Sequence, residues 1–429
     1  MKWFFNMAKI FIKKQQYIQI MLIKLFLVGI FLHYKISNFT LILLTVYWII
    51  SGNYKYIFQE LKVKKILIIL IGFYALHIIG LLYSDNLYSG YKELEKKIPM
   101  LLLPLVIGSI KSEVLESQRK NLFYFYVTTT IVACLVLVIN ALCQYAVTDN
   151  SEVFYFKSFT RLISVNPIYL SIYVLFAFCV YFYELEKIFS NHIARNVSIY
   201  IFTLIMLILI SSKNSLVVFI GITFHLIFVK INLRPATKLV AVLSMVGIII
   251  ILINAFPVTR DRIIDLKNSD WSGILEDDYT SKATSFTGTT LRISFWKITL
   301  KEMSKDGIFL FGVGTGDSEN YLNEAYDQYG LLSAGFLDYN LHNAFMEVLL
   351  EFGVLGLMYY LFLIISIFVI AVRKNDGLLL LLVIFFCSFS LTESVLNINK
   401  GIAFFSFFYS FLIASRASHL KEQDYLNNA

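Results

Sequence analysis

The stretch LHNAFMEVLLEFGVLG holds the densest set of groups able to move a proton. His342 and Asn343 stand where a polar segment gives way to an apolar one. Asn343, Glu347 and Glu351 follow at i, i+4 and i+8, which places them on one helix face. An imidazole ordinarily titrates near neutrality, so a histidine at such a boundary is either a solvated structural residue or a general base. Gly353 and Gly356 come next, where they can break the helix before a full span begins.

Basic residues stand beside other apolar runs. They are Lys96 and Lys97 in LEKKIPMLLLP, Arg161 in SFTRLISVNPIYL, Lys213 in SSKNSL and Arg292 in LRISFWKITL. Arg260 is a further candidate, and Glu393 supplies an acid in LTESVLNINK. Ionisable groups at membrane depth are costly and often functional. Each one alone reads as an anchor that snorkels to headgroups. Together, Lys97, Arg161, Lys213 and Arg292 suit a pyrophosphate if they converge, because charge-assisted hydrogen bonds are the strong ones.

The elements that must position these groups are membrane helices. Hydrophobic residues make up 58% of the chain, charged residues only 15%, and mean hydropathy is +0.71. A soluble domain carries about 25% charge. The 39 Phe and 27 Tyr fit lipid-facing and interfacial positions. The net charge of +8 is not gathered on a soluble surface, which excludes a nucleic-acid partner. Cys134, Cys143, Cys179 and Cys387 fall in apolar runs without metal spacing. The basic start, MKWFFNMAKIFIKK, lacks an A-x-A-like cleavage site, so the first span reads as retained.

The pattern predicts an all-α polytopic membrane protein of about 12 spans, near 16–34, 36–52, 65–83, 98–110, 122–147, 166–184, 197–211, 214–230, 237–256, 344–372, 377–392 and 400–415. With the N-terminus inside, the cytoplasmic segments collect 20 of the 37 basic residues, and the short outer loops far fewer. That bias puts both termini in the cytoplasm. The organisation is a bundle over 1–256, a large outer loop over 257–341, a re-entrant helix and last spans over 342–415, and a tail over 416–429. No pair of broken, inverted spans supports transporter symmetry, and charges sit mainly at span boundaries.

The outer loop is not linker-like. Ile293, Trp296, Leu300 and Met303 form one helical stripe, read as an interfacial packing face. In FLFGVGTGDSENYLNEAY, Gly312, Gly314 and Gly316 precede a short helix that Asp317 or Ser318 can cap. The glycines read as a tight structural turn or, alternatively, as a phosphate cradle at a helix N-terminus. The segment matches neither a P-loop nor a Rossmann fingerprint.

HNAFMEVLLEFGVLG resembles the H-N…E-x-G-x-x-G signature of the O-antigen ligase and polymerase superfamily. LEKKIPMLLLPL, TRLISVNPIYLS, SSKNSLVVF, LRISFWKITL, FGVGTGD and LTES extend the resemblance, in order, along nearly the whole chain. It implies a GT-C-type glycosyltransferase in the bacterial inner membrane that needs no metal ion or other cofactor. The implied donor is a glycan on undecaprenyl pyrophosphate, used on the periplasmic side. The implied acceptor is the lipid A core for a ligase, another repeat unit for a polymerase, or a protein hydroxyl for related transferases. By motif, His342 falls on the essential histidine, with Arg292, Arg161 and Lys96 or Lys97 on basic positions and Glu393 on an acidic one. Lys213 departs from the pattern, since many members carry arginine there; lysine keeps the charge but not the bidentate fork.

The implied reaction is inverting transfer. His342 deprotonates the acceptor hydroxyl while Arg161, Arg292 and Lys213 hold the pyrophosphate. Some polymerases carry paired R-x10-G motifs. Arg262 and Gly273 match once, and Arg161 meets Ile172 at that spacing, so the ligase reading is preferred. A lipid-linked sugar transporter is the less favoured alternative.

Overall fold

The computed structural model describes residues 2–185, 193–230, 234–255, 288–333 and 335–416, together with Arg260, Asp261, Ile264, Trp271 and Tyr279. Among the described residues the chain is helical, without a strand. The bundle begins with α1 (Lys2–Gly29), α2 (Tyr34–Ile50), α3 (Ile57–Val63), α4 (Leu67–Leu81), α5 (Leu87–Lys97) and α6 (Pro99–Gly108). It continues with α7 (Ser112–Thr148), α8 (Phe156–Thr160), α9 (Pro167–Val180), α10 (Ile193–Ile210), α11 (Lys213–His225) and α12 (Pro235–Ala255). The segment that follows α12 contributes α13 (Gly288–Lys305) and α14 (Ser318–Gln328). The last helices are α15 (Ala344–Arg373), α16 (Gly377–Ser390) and α17 (Asn399–Ser415).

Every expected apolar segment contains one of these helices. Among the described residues, four are long and apolar enough to cross a membrane, or five if α2 and the helix after its 77° bend form one span. α4, α11, α12 and α16 are shorter apolar helices. α6 has 10 residues, so it covers only about 15 Å of a hydrocarbon core of about 30 Å. Pro99 takes its first position, and Pro104 lies within it without ending it.

Two helices are apolar nearly all round and are accordingly buried nearly all round. α9 starts cleanly because Asn166 Oδ1 accepts from Ile168 N at 2.9 Å and Pro167 takes the first helical position. It packs on α7, α10, α11 and α16. α17 packs on α4, α5, α6, α7 and α16. Rings join the two pillars: Phe176 lies 4.5 Å from Phe408, and Tyr173 5.0 Å from Phe404, centroid to centroid. At one end of the bundle, Glu184 accepts from Arg119 and Arg416, and Arg416 also pairs with Asp376. Elsewhere the buried Lys400 ammonium donates to the carbonyls of Gly29, Ile30 and Leu32 at and just after the end of α1.

The segment of α13 and α14 has a second hydrophobic core. Phe295, Ile298 and Met303 of α13 meet Leu322, Ala325 and Tyr326 of α14, and Leu349 and Leu350 of α15 close the cluster. The rings of Phe295 and Tyr326 stack at 4.4 Å. The buried face of α13 is therefore Leu291, Phe295 and Ile298 at i, i+4 and i+7. Of the stripe read from the sequence, Met303 is buried in that core and Trp296 packs against its edge. Leu300 is exposed, and Ile293 and Trp296 turn toward a cleft. Both stripes satisfy helical spacing, and only the packing partner selects between them.

The glycine run is a structural turn. Gly353 interrupts α15 with φ 62° and ψ −161°, so the carbonyls of Leu350 and Glu351 lose their helical donors. Val313 N and Gly314 N donate to them at 2.9 Å each, and Val354 N donates back to Phe309 O at 2.8 Å. Thr315 Oγ1 donates to His77 O at 2.7 Å, and Gly316 N to Ser84 Oγ at 3.0 Å. A Cβ on Gly312 would lie 2.4 Å from Leu350 O. The loop amides are thus engaged by α15 and α4, not held open for a phosphate. Asp317 does not cap its own helix either; its carboxylate accepts from Asp85 N and Asn86 N at 2.8 Å.

Candidate active site

The left-handed turn at Ser211 (φ 55°) ends α10 and starts α11, which presents Lys213 in its first turn. Asn214 ties that turn to the end of α16: its Nδ2 donates to Thr392 Oγ1 at 2.9 Å, and its Oδ1 accepts from Ser388 Oγ at 2.8 Å. α13 brings Arg292 from the segment between α12 and α15. A cleft of about 480 Å³ opens between these pieces. Lys213, Asn214, Arg292, Trp296, Thr392 and Glu393 are among its walls, together with Phe156 and Ile168 on either side of the Arg161 turn.

Glu393 joins the two principal candidates. Arg292 Nη2 donates to its Oε1 at 2.7 Å, and His342 Nδ1 stands 3.2 Å from its Oε2. A carboxylate facing Nδ1 selects the tautomer that keeps the proton there and leaves Nε2 as the base. His342 itself lies at φ 47°, a sparsely populated conformation for a non-glycine residue. Its neighbours hold it there. His342 N donates to Asn340 Oδ1 at 3.1 Å, and Asn343 Oδ1 caps α15 by accepting from Phe345 N and Met346 N at 2.9 and 3.2 Å. His342 is not among the cleft walls; it reaches them through Glu393 and through Leu341 O, which accepts from Trp296 Nε1 at 2.7 Å.

The other candidates are placed elsewhere. Arg161 is exposed on the short turn before α9, outside the cleft lining. Arg260 pairs with its neighbour Asp261. Arg262 and Gly273 lie outside the described residues. Lys96 and Lys97 do not line the cleft. Lys96 pairs with Glu93, and the fully buried Lys97 stands 3.2 Å from Glu93 and 3.3 Å from Glu351. Burial by itself depresses the Lys97 ammonium, but the Glu351 and Glu93 carboxylates outweigh it and hold the group above the usual lysine range. Lys97 is thus a counter-ion inside the fold. Sequence reading also missed His77, which is buried on α4 with Nε2 3.5 Å from Glu351 Oε2. No hydrophobic period marks a histidine whose carboxylate partner sits on α15.

Among the described residues no group of His, Cys, Asp and Glu has the arrangement of a metal site. In the comparison with family models, residues 198–361 match the model described as O-Antigen ligase. Over those residues the chain is similar to the O-antigen ligase family. The comparison with curated proteins finds none that matches. The O-antigen ligase segment runs from α10 into α15 and contains Lys213, Arg292 and His342. Arg161 and Glu393 lie outside it, so the acid that bridges Arg292 and His342 comes from the loop after α16. The match supports a ligase- or polymerase-like activity on lipid-linked glycans, carried by a membrane protein.

Proposed function

We propose that this O-antigen ligase-type protein moves a glycan from undecaprenyl pyrophosphate to an acceptor hydroxyl on the lipid A core, at the periplasmic face of the bacterial inner membrane. The observation that carries the reading is the Arg292–Glu393–His342 chain, with Glu393 forming part of the cleft wall that Lys213 also lines. In this reading all twelve apolar helices belong to the membrane bundle, both termini face the cytoplasm, and α13 and α14 cover the outer face.

The chemistry is inverting transfer. Arg292 and Lys213 bind the pyrophosphate, with Arg161 approaching from the rim. They stabilise the charge that develops as the bond from the anomeric carbon to the phosphate oxygen breaks. His342 Nε2 takes the proton of the acceptor hydroxyl, whose oxygen bonds to the anomeric carbon from the opposite face. Glu393 holds the resulting imidazolium. The pyrophosphate leaves on the polyprenyl carrier, and no metal ion is required because guanidinium and ammonium groups occupy that role.

A deletion strain tests the reading through its lipopolysaccharide. Loss of all polymer from the core, with lipid-linked polymer retained, is the expected outcome. A core bearing a single repeat unit would assign the protein to polymerisation, and an unchanged profile would reject both.

A further inference from the structure

Glu347 has no part in the chemistry above, yet it is almost fully buried, at 3% exposure, in the first turn of α15. A buried carboxylate needs partners that justify its desolvation. Its partners are specific. Leu341 N donates to Oε1 at 2.7 Å and Ser394 Oγ donates to the same oxygen at 2.9 Å. Leu341 immediately precedes His342, and Ser394 immediately follows Glu393. One oxygen atom therefore holds the backbone before the histidine and the side chain after its carboxylate partner. Trp296 joins the same knot through Leu341 O, and Trp296 lies one helical turn from Arg292. The strained backbone at His342 persists only if its surroundings over-determine it.

We infer that Glu347 is a positioning residue that sets the spacing between His342 and Glu393. The inference rests on the proposed transfer reaction. Without Glu347 the His342 turn relaxes, and the imidazole leaves the line between Glu393 and the acceptor. Only an acceptor oxygen is required, so a glutamine carbonyl, with two lone pairs, is a sufficient replacement.

The test uses the full-length protein in detergent or nanodiscs, with purified polyprenyl-pyrophosphate glycan and a lipid A core acceptor. Glu347→Ala should lower turnover by about 100-fold and leave the donor KM within about twofold, because the phosphate-binding groups sit on other elements. Hydrogen exchange in a peptide covering Asp338–Met346 should quicken while α9 and α17 keep their protection. Glu347→Gln should retain both protection and turnover within a few-fold of the natural protein. If Glu347→Ala does not accumulate, Ser394→Ala removes one of the two donors and should lower turnover alone. Wild-type turnover and protection in Glu347→Ala, or wild-type turnover in Ser394→Ala, overturns the inference. So does a Glu347→Gln protein that keeps protection but is as inactive as Glu347→Ala, since that outcome makes the charge essential rather than the position. His342→Ala separates the two levels: normal transfer in that variant rejects the base role, while the exchange data still report on the Glu347 link.

Discussion

At the residue scale, the site depends on which group each cation faces. His342→Ala should cut transfer by about 10²–10⁴-fold, the usual worth of a general base. Membrane fractions assayed with the lipid-linked donor report this directly, and activity near that of the natural protein excludes the role. Lys213 offers a second test. Its ammonium binds phosphate as a point charge, whereas arginine adds a rigid fork. Lys213→Arg should lower the donor KM, and Lys213→Ala should raise it. A donor KM unmoved in both variants would remove Lys213 from the binding set. The chemical types of these residues were legible in the sequence. The choice among Lys97, Arg161, Lys213 and Arg292 was not, because a basic residue beside an apolar run looks the same whether it faces a cleft, a headgroup or a buried glutamate.

At the scale of the element, the break in α15 is the decisive local feature. A helix entering at Asn343 must change direction before it crosses the membrane, and Gly353 makes that turn with φ 62°. The sequence announced the break through its two glycines. It did not announce that the Gly312–Gly316 run supplies the missing donors, since those amides lie tens of residues away. A Cβ at Gly353 would sit 2.3 Å from the Leu310 carbonyl group, in a conformation L-residues avoid. Gly52 also has positive φ, at 73°, but nothing within 4 Å of its added Cβ. Gly52→Ala should therefore cost only the conformational term, about 1–2 kcal/mol. Gly353→Ala should cost clearly more because backbone must move as well. Thermal unfolding of the two variants in the same detergent makes the comparison, and equal midpoints would show that the clamp does not hold the kink.

At the scale of the molecule, α4, α5 and α15 are joined by the buried set of His77, Glu351, Lys97 and Glu93. Removing one partner from such a set leaves an uncompensated charge, which is typically destabilising by about 3–5 kcal/mol. Lys97→Met should lower the unfolding midpoint strongly without altering the donor KM of the folded fraction. Adding Glu351→Gln should recover part of the loss, because the orphaned charge is then gone. A Lys97→Met protein of normal stability with a raised donor KM would return Lys97 to the phosphate site. The outcome bears on the architecture, since this set is among the charged ties that hold separate helices of the bundle together, with the Glu184 cluster and Lys400.

The sequence by itself determined that this is a helical membrane protein, roughly where its apolar helices lie, and which residue types stand beside them as candidates for the chemistry. Those properties follow from local pattern: apolar length, capping residues, prolines, and motifs in fixed order. Only the tertiary structure decided that Arg292 and His342 share Glu393, that Lys97 is a counter-ion, and that Glu347 ties the His342 turn to the Glu393 loop. Each of these is a contact between segments far apart in the chain. Helical periodicity says which face a residue occupies, but not which helix that face will meet.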